Sequence, residues 1–209
     1  MCMDSDVVIW DWNGTILNDL DAVLLTLNEM LSIRGLPFES KDKYKSRFKF
    51  PVIEYYKELG FDFQKEDFHD ASVEYVQLYN KHNDMFKLTD GVIDVLEHFK
   101  KMNKKQYVLS ALDEICLRDI LQKYGLIHYF EDVFGSDNIY GSKKVDTGRR
   151  LLNVSGVDSS DCVMIGDTEH DAEVAFELGF KCVLYTGGHN NKERLVAVAS
   201  TIDMMKELM

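Results

Sequence analysis

Val163-Met164-Ile165-Gly166-Asp167-Thr168-Glu169-His170-Asp171 reads as an apolar strand that ends in Gly-Asp and passes directly into the start of a helix. This puts Asp167 at the carboxyl end of the strand and Asp171 one helical turn further on. Hard divalent cations take oxygen ligands, and Mg2+ typically binds one or two carboxylates while keeping water and substrate oxygens. A plainer account is that Asp167 and Thr168 cap the following helix. Capping explains one acid at one strand end. It does not explain a second such site in the same chain.

The second site is Asp11-Trp12-Asn13-Gly14-Thr15, which follows the β-prone run Val7-Val8-Ile9-Trp10. Asp11 falls at the end of that run, and Gly14 lets the backbone turn closely around a bound group. Taken alone, the segment has a rival reading: Asn-Gly between apolar runs is the strongest short hairpin signal and would fold Val7 to Leu17 back on itself. The repeat of the strand-then-acid pattern favours a buried strand. Two weaker elements lie between the acids. Tyr107-Val108-Leu109-Ser110-Ala111 ends a strand in a small hydroxyl suited to a phosphoryl oxygen, although an ordinary strand-to-helix turn accounts for it as well. Lys143 and Lys144 precede a helix at Val145; one offers an ammonium to the site, or the pair is solvated surface.

Outward from these motifs, Leu20, Val23, Leu24, Leu27 and Leu31 share one helical face that Gly35 terminates. Further helices are expected at about 40–48, 52–59 and 66–82, with no strand interrupting residues 18–88. After Asp90-Gly91 the rhythm alternates: helices at 92–101, 113–124, 145–154 and 169–178, strands at 106–110, 132–134, 162–165 and 182–185. Alternation of this kind predicts an α/β fold with a Rossmann-like parallel sheet of five or six strands, whose carboxyl ends carry the ligand site.

The 209 residues, 45% hydrophobic and 11% aromatic, suit one domain or a core with a modest insertion, and two prolines argue against long linkers. A net charge of −12 disfavours nucleic acid and anionic membranes as partners, attracts a metal cation, and obliges a small anionic substrate to find a locally positive site. The apolar run Val7 to Trp10 is too short for a signal peptide or a membrane span. Cys2, Cys116, Cys162 and Cys182 show no CxxC spacing, so reduced thiols of a cytoplasmic protein are expected.

In this order the four segments resemble the haloacid dehalogenase superfamily of phosphohydrolases. That pattern is Asp-x-Asp-Gly-Thr, a strand-end Ser or Thr, a Lys before a helix, and Gly-Asp-x-x-x-Asp. The resemblance spans Val7 to about Gly187, and the helical stretch looks like the cap of the phosphoglycolate phosphatase-type branch. It implies a Rossmann-like α/β core (residues 1–17 and 89–209) with an inserted α-helical cap domain (residues 18–88). By the same resemblance Asp11 is the nucleophile and a magnesium ligand, and Asn13 binds the metal through its backbone carbonyl. Ser110 holds the phosphoryl group, with Gly14, Thr15 and Ala111 beside it. Lys144 balances charge, and Lys143 is the second choice because the usual Lys-Pro pairing is absent. Asp167 is a metal ligand, and Asp171 a ligand or the support of one. The implied reaction is Mg2+-dependent hydrolysis of a small phosphorylated metabolite through phospho-Asp11; a phosphoryl-transferring mutase is a close relative.

One position departs from the pattern. The second Asp of the first motif, the family's usual general acid and base, is Asn13 here, and an amide does not shuttle a proton at neutral pH. General acid–base catalysis is worth about 10²- to 10⁴-fold. Three explanations stand: a leaving group that needs no proton, such as an acyl phosphate; a substitute such as His170 or a cap residue; or a phosphometabolite-binding protein with little turnover. The segment 41–49 holds five cations and one acid. It is either solvated surface or brings Arg47 or Lys49 over the site to bind an anionic substrate.

Overall fold

The computed structural model describes residues 4–136 and 144–209. In chain order the elements are β1 (Val7–Trp10), β2 (Leu17–Asn18), α1 (Leu20–Ile33), α2 (Lys41–Arg47), α3 (Val52–Leu59), α4 (Phe68–Lys81), β3 (Lys87–Leu88), α5 (Val92–Lys101) and β4 (Lys105–Asp113). Then follow α6 (Glu114–Lys123), β5 (Asp132–Ser136), α7 (Lys144–Ser155), β6 (Cys162–Gly166), α8 (Glu169–Leu178), β7 (Lys181–Tyr185), α9 (Lys192–Leu195) and β8 (Ser200–Ile202).

Six strands form one parallel sheet in the order β5-β4-β1-β6-β7-β8. Because side chains alternate along a strand, β1 feeds two cores at once. Val8 and Trp10 pack with Leu96 and Phe99 of α5 and Leu117 and Leu121 of α6. Val7 and Ile9 pack on the opposite face with Leu151 of α7 and Val174 and Leu178 of α8. Burial on both faces is why β1 reads as an unbroken apolar run. β1 is paired in parallel on both edges, to β4 and β6, so the hairpin reading of Val7 to Leu17 does not hold. Asn13-Gly14 nonetheless makes a tight turn, with the Leu17 amide donating to the Trp12 carbonyl at 2.9 Å and Gly14 at φ +75°.

The helices α1 to α4 build a third core of their own around Leu27, Met30, Leu31, Tyr44, Tyr55 and Tyr56. Four of the five apolar residues expected on the first helix are buried there, and Leu24 packs at its edge. Three details depart from expectation. Residues 18–88 are not wholly helical: Leu17 and Asn18 pair antiparallel with Leu88 and Lys87, closing the stretch with a two-stranded ribbon. The strand expected at 106–110 runs on to Asp113, through a register shift after Leu109, and Asp113 then caps α6 by accepting from the Cys116 amide at 3.0 Å. β8 was not anticipated, since its three residues lack enough periodicity to stand out. Lys143 and Cys2 lie outside the described residues.

Candidate active site

Parallel pairing brings the motifs together. Trp10 lies beside Val108 of β4 and Ile165 of β6, so Asp11 and Asp167 emerge at the carboxyl ends of β1 and β6, beside Ser110, two residues past the last pairing of β4 with β1. One oxygen each of Asp11, Asp167 and Asp171 falls within 4.8 Å of the others, and all three residues are buried. Lys144, the first residue of α7, donates to Asp11 Oδ1 and, at 2.6 Å, to Asp171 Oδ1.

Each acid is held by its own local chemistry. Asp171 Oδ2 accepts from the Thr168 amide at 3.0 Å and the Thr168 hydroxyl at 2.8 Å, so Thr168 and Asp171 supply the cap of α8 between them. Asp167 is thereby left to face the site rather than cap the helix. Its Oδ1 accepts from the Thr15 hydroxyl at 3.1 Å and its Oδ2 from the His189 amide at 2.6 Å. Glycine is required around it: a Cβ on Gly14 or on Gly188 would come within 2.2 Å of Asp167 Oδ2.

Charge in this small volume is out of balance. Among the described residues, the carboxyl groups of Asp11, Asp19, Asp167 and Asp171 face Lys144 and His189, all buried, a formal excess of two acidic groups over basic ones. Burial drives the Asp11 carboxyl well above its usual range; Lys144 offsets this only in part, and the charges of Asp171 and Asp167 push it further up. Burial, with Asp171 and Asp19 nearby, pushes Asp167 to about 6 despite His189. Burial also opposes ionisation of Asp171, but Lys144 outweighs it and holds this carboxyl low. A hard divalent cation fits such a set, since oxygen donors and surplus negative charge are what it selects.

Asn13 sits at the edge of this cluster. Its amide nitrogen donates to Asp19 Oδ2 and to the Tyr79 hydroxyl, both at 2.9 Å, and Tyr79 donates to the same Asp19 oxygen at 2.7 Å. Asp19 Oδ1 accepts from the Gly14 amide at 3.0 Å and meets His189 Nε2 at 3.1 Å. His189 Nδ1 meets the Tyr44 hydroxyl at 3.0 Å. Burial alone would depress His189, yet the Asp19 charge and hydrogen bond dominate and lift it to about 9. The same pairing, with bonds from Tyr79 and Asn13, keeps Asp19 below its usual value against burial. Neither Asp19 nor His189 stood out in the sequence. Asp19 directly precedes α1, and its side chain caps nothing there. The signal for His189 is Gly187-Gly188 two residues after β7, where a Cβ on Gly188 would run into Asp167.

Above the acids lies a cavity of about 340 Å³, with Asp11, Ser110, Ala111 and Lys144 on one side and rings from α2 to α4 on the other. Ser110 Oγ accepts from the Leu112 amide at 3.1 Å, which leaves its hydroxyl hydrogen to donate elsewhere. Gly14 and Thr15 do not line the cavity; they brace Asp167 and Asp19 from behind. Arg47 does not line it either, because its guanidinium pairs with the buried Glu39. His170 does: its ring lies 4.7 Å from that of Phe50, Nδ1 meets Glu173, and Nε2 has no partner among the described residues.

The sequence pattern of a family described as haloacid dehalogenase-like hydrolase matches residues 8–185. Phosphoglycolate phosphatase 1 of Pseudomonas aeruginosa is 22% identical over 218 residues, covering 97% of this chain and 78% of that protein. Tyrosine-protein kinase PtkA of Mycobacterium tuberculosis is 25% identical over 213 residues, with 97% and 72% covered. A predicted phosphatase from Clostridium acetobutylicum, a solved structure, shares the fold with a TM-score of 0.77 at 22% identity, over 98% of this chain and 96% of that one.

Proposed function

The chain belongs to the haloacid dehalogenase-like hydrolases and is a phosphatase, and on that premise we propose that it hydrolyses a small phosphorylated metabolite in a magnesium-dependent reaction through a phospho-Asp11 intermediate. The observation that carries this reading is the cluster of Asp11, Asp167 and Asp171 bridged by the Lys144 ammonium at the mouth of the cavity. Asp11 is the nucleophile. Lys144 lies on Asp11 and offsets charge as a phosphoryl group approaches. Ser110 donates its hydroxyl to a phosphoryl oxygen. Asp11, Asp167 and the Asn13 backbone carbonyl would hold Mg2+, and Asp171, both of whose oxygens already accept hydrogen bonds, keeps Lys144 in place. Magnesium, when bound, supplies electrostatic stabilisation of the phosphoryl oxygens.

Residues 18–88 act as a cap over the core formed by 1–17 and 89–209. Supporting this division are the separate core of α1 to α4 and the β2–β3 ribbon, where the chain crosses out and back. Closure of the cap shields the phosphoaspartate from bulk water. Asn13 contributes no proton, so the enzyme turns over leaving groups that depart as stable anions.

The test is acid-quenched intact mass after incubation with acetyl phosphate and Mg2+, with peptide mapping. A species one phosphoryl group heavier, mapped to Asp11 and missing without Mg2+, is expected. Phosphate release that persists in Asp11→Asn overturns the mechanism. Binding of phosphorylated compounds with no turnover of any would make the protein a phosphometabolite binder instead.

A further inference from the structure

The cavity identifies a class of substrate, and this inference rests on the phosphatase reading above. Its floor is charged, but its roof is not. Among the described residues, Lys144 is the single lysine or arginine that lines it, and Lys144 is committed to Asp11 and Asp171. Four of the five cations of segment 41–49 are turned to other work, and Lys43 does not line the cavity. Lys41 pairs with Asp21, Lys45 donates to the Thr186 carbonyl, Arg47 pairs with Glu39 and Lys49 with Glu58. His189, the remaining buried cation on the wall, is engaged through both ring nitrogens by Asp19 and Tyr44.

A substrate carrying a carboxylate or a second phosphate beyond its reacting group would therefore meet no free lysine or arginine on the described wall, and only the Nε2 of His170 as an unengaged ring nitrogen. Leaving a charge unpaired in such a place is among the most costly things a site does. The roof offers instead Leu27, Phe50, Tyr56, Phe68, Tyr75 and Tyr79. Its rings already meet one another at distances of aromatic packing, 5.7 Å for Tyr75 and Tyr79 and 4.6 Å for Tyr79 and Phe86. Size agrees with this chemistry. A dry cavity of roughly 150 Å³ admits benzene, so about 340 Å³ holds an aromatic ring with a phosphoryl group attached.

The chemistry at residue 13 points the same way. A phenol of the tyrosine type ionises near pH 10, far below an aliphatic alcohol, so a phenolate leaves without a proton supplied by the enzyme. Asn13, its amide fixed on Asp19 and Tyr79, has none to give. An aromatic roof and an amide in place of a carboxyl at residue 13 are two independent features that select the same molecule.

We propose that the substrate is an aryl phosphate, a phosphate monoester of a phenol whose remaining substituents carry no negative charge. An Asp11 carboxylate oxygen forms a bond to phosphorus as the bond from phosphorus to the aryl oxygen breaks. The aryl oxide departs with the electron pair and takes its proton from water. A water molecule then cleaves the acyl phosphate, restoring Asp11 and releasing inorganic phosphate.

The experiment compares kcat/KM for phenyl phosphate, 2-naphthyl phosphate, phosphoglycolate and glycerol phosphate, with acetyl phosphate as the measure of phosphoryl transfer alone. Both aryl esters should exceed phosphoglycolate and glycerol phosphate by about 100-fold or more, the low end of a proton donor's worth. Tyr75→Ala should lower the ratio of 2-naphthyl to acetyl phosphate kcat/KM at least tenfold; a ratio is independent of the fraction folded. Calorimetry should show phenylphosphonate binding more tightly than phosphonoacetate. Acetyl phosphate turnover without preference for aryl over carboxylated or aliphatic esters overturns the aryl assignment and leaves the phosphatase reading standing. Failure to turn over acetyl phosphate and aryl esters alike overturns both.

Discussion

The floor of the cavity is a set of carboxylates and one ammonium fixed at the ends of parallel strands, whereas its roof is a layer of rings carried on α2 to α4 over α1. The floor tolerates almost no change: Gly14, Gly166 and Gly188 have no room for a Cβ, and each acid has at least one fixed donor. Roof contacts are mostly apolar and exchangeable, with polar ties to the floor chiefly through Tyr79, Asn13 and Asp19 and a further one from Tyr44 to His189. The difference separates what makes a reaction possible from what chooses its substrate. Floor substitutions should change rate on every compound, and roof substitutions should change the ratio between compounds.

The largest effect should come from Asp11→Asn, which removes the proposed nucleophile and is expected to lower phosphate release by about 10⁴-fold or more on all substrates. A loss confined to some of them would erase the distinction between floor and roof. Asn13→Asp restores a proton donor and should raise turnover of aliphatic esters by about 10²- to 10⁴-fold while leaving acetyl phosphate within a few-fold. This change also sets a carboxylate against Asp19 and discards two donated hydrogen bonds, so it should lower Tm. Pairing it with Asp19→Asn should recover part of that loss.

Metal addition tests the charge surplus of the floor directly. At about 100 times its Kd, Mg2+ adds roughly 2.7 kcal/mol to stability, which at about 2–4 °C per kcal/mol for a chain of this size raises Tm by about 5–10 °C. Asp167→Asn should stabilise the metal-free protein and abolish that response in a thermal scan. Tyr79→Phe cuts the tie between the two walls; loss of hydrogen bonds to Asp19 and Asn13 should cost about 1–3 kcal/mol, read in urea melts. The smallest kinetic effect is expected from Arg47→Ala. KM should stay within about twofold, because Arg47 serves Glu39 and not the cavity, while Tm falls as the buried Glu39 carboxylate loses its partner.

Legibility follows the same division. Asp11, Lys144, Asp167 and Asp171 could be read from the chain because each stands at the end of an apolar strand or the start of a helix, and a parallel sheet must bring such ends together; Ser110 was read as a strand end, although β4 runs on to Asp113. Asp19 and His189 could not, since they lie 170 residues apart and meet only when α1 and the loop after β7 converge on Gly14. Arg47 misled for a related reason. A cation in a basic run carries no mark of which acid it will meet, and Glu39, eight residues earlier, was nearer than any substrate.

The sequence by itself determined the α/β alternation, the order of the motifs and the helical insertion, because period and punctuation are local properties of the chain. Only the tertiary structure decided that the insertion presents rings and no free cation to the acids, and that Asn13 is bound into a buried network with Asp19, Tyr79 and His189. Those outcomes depend on which face each helix turns inward and which ions find one another, and no local spacing encodes either.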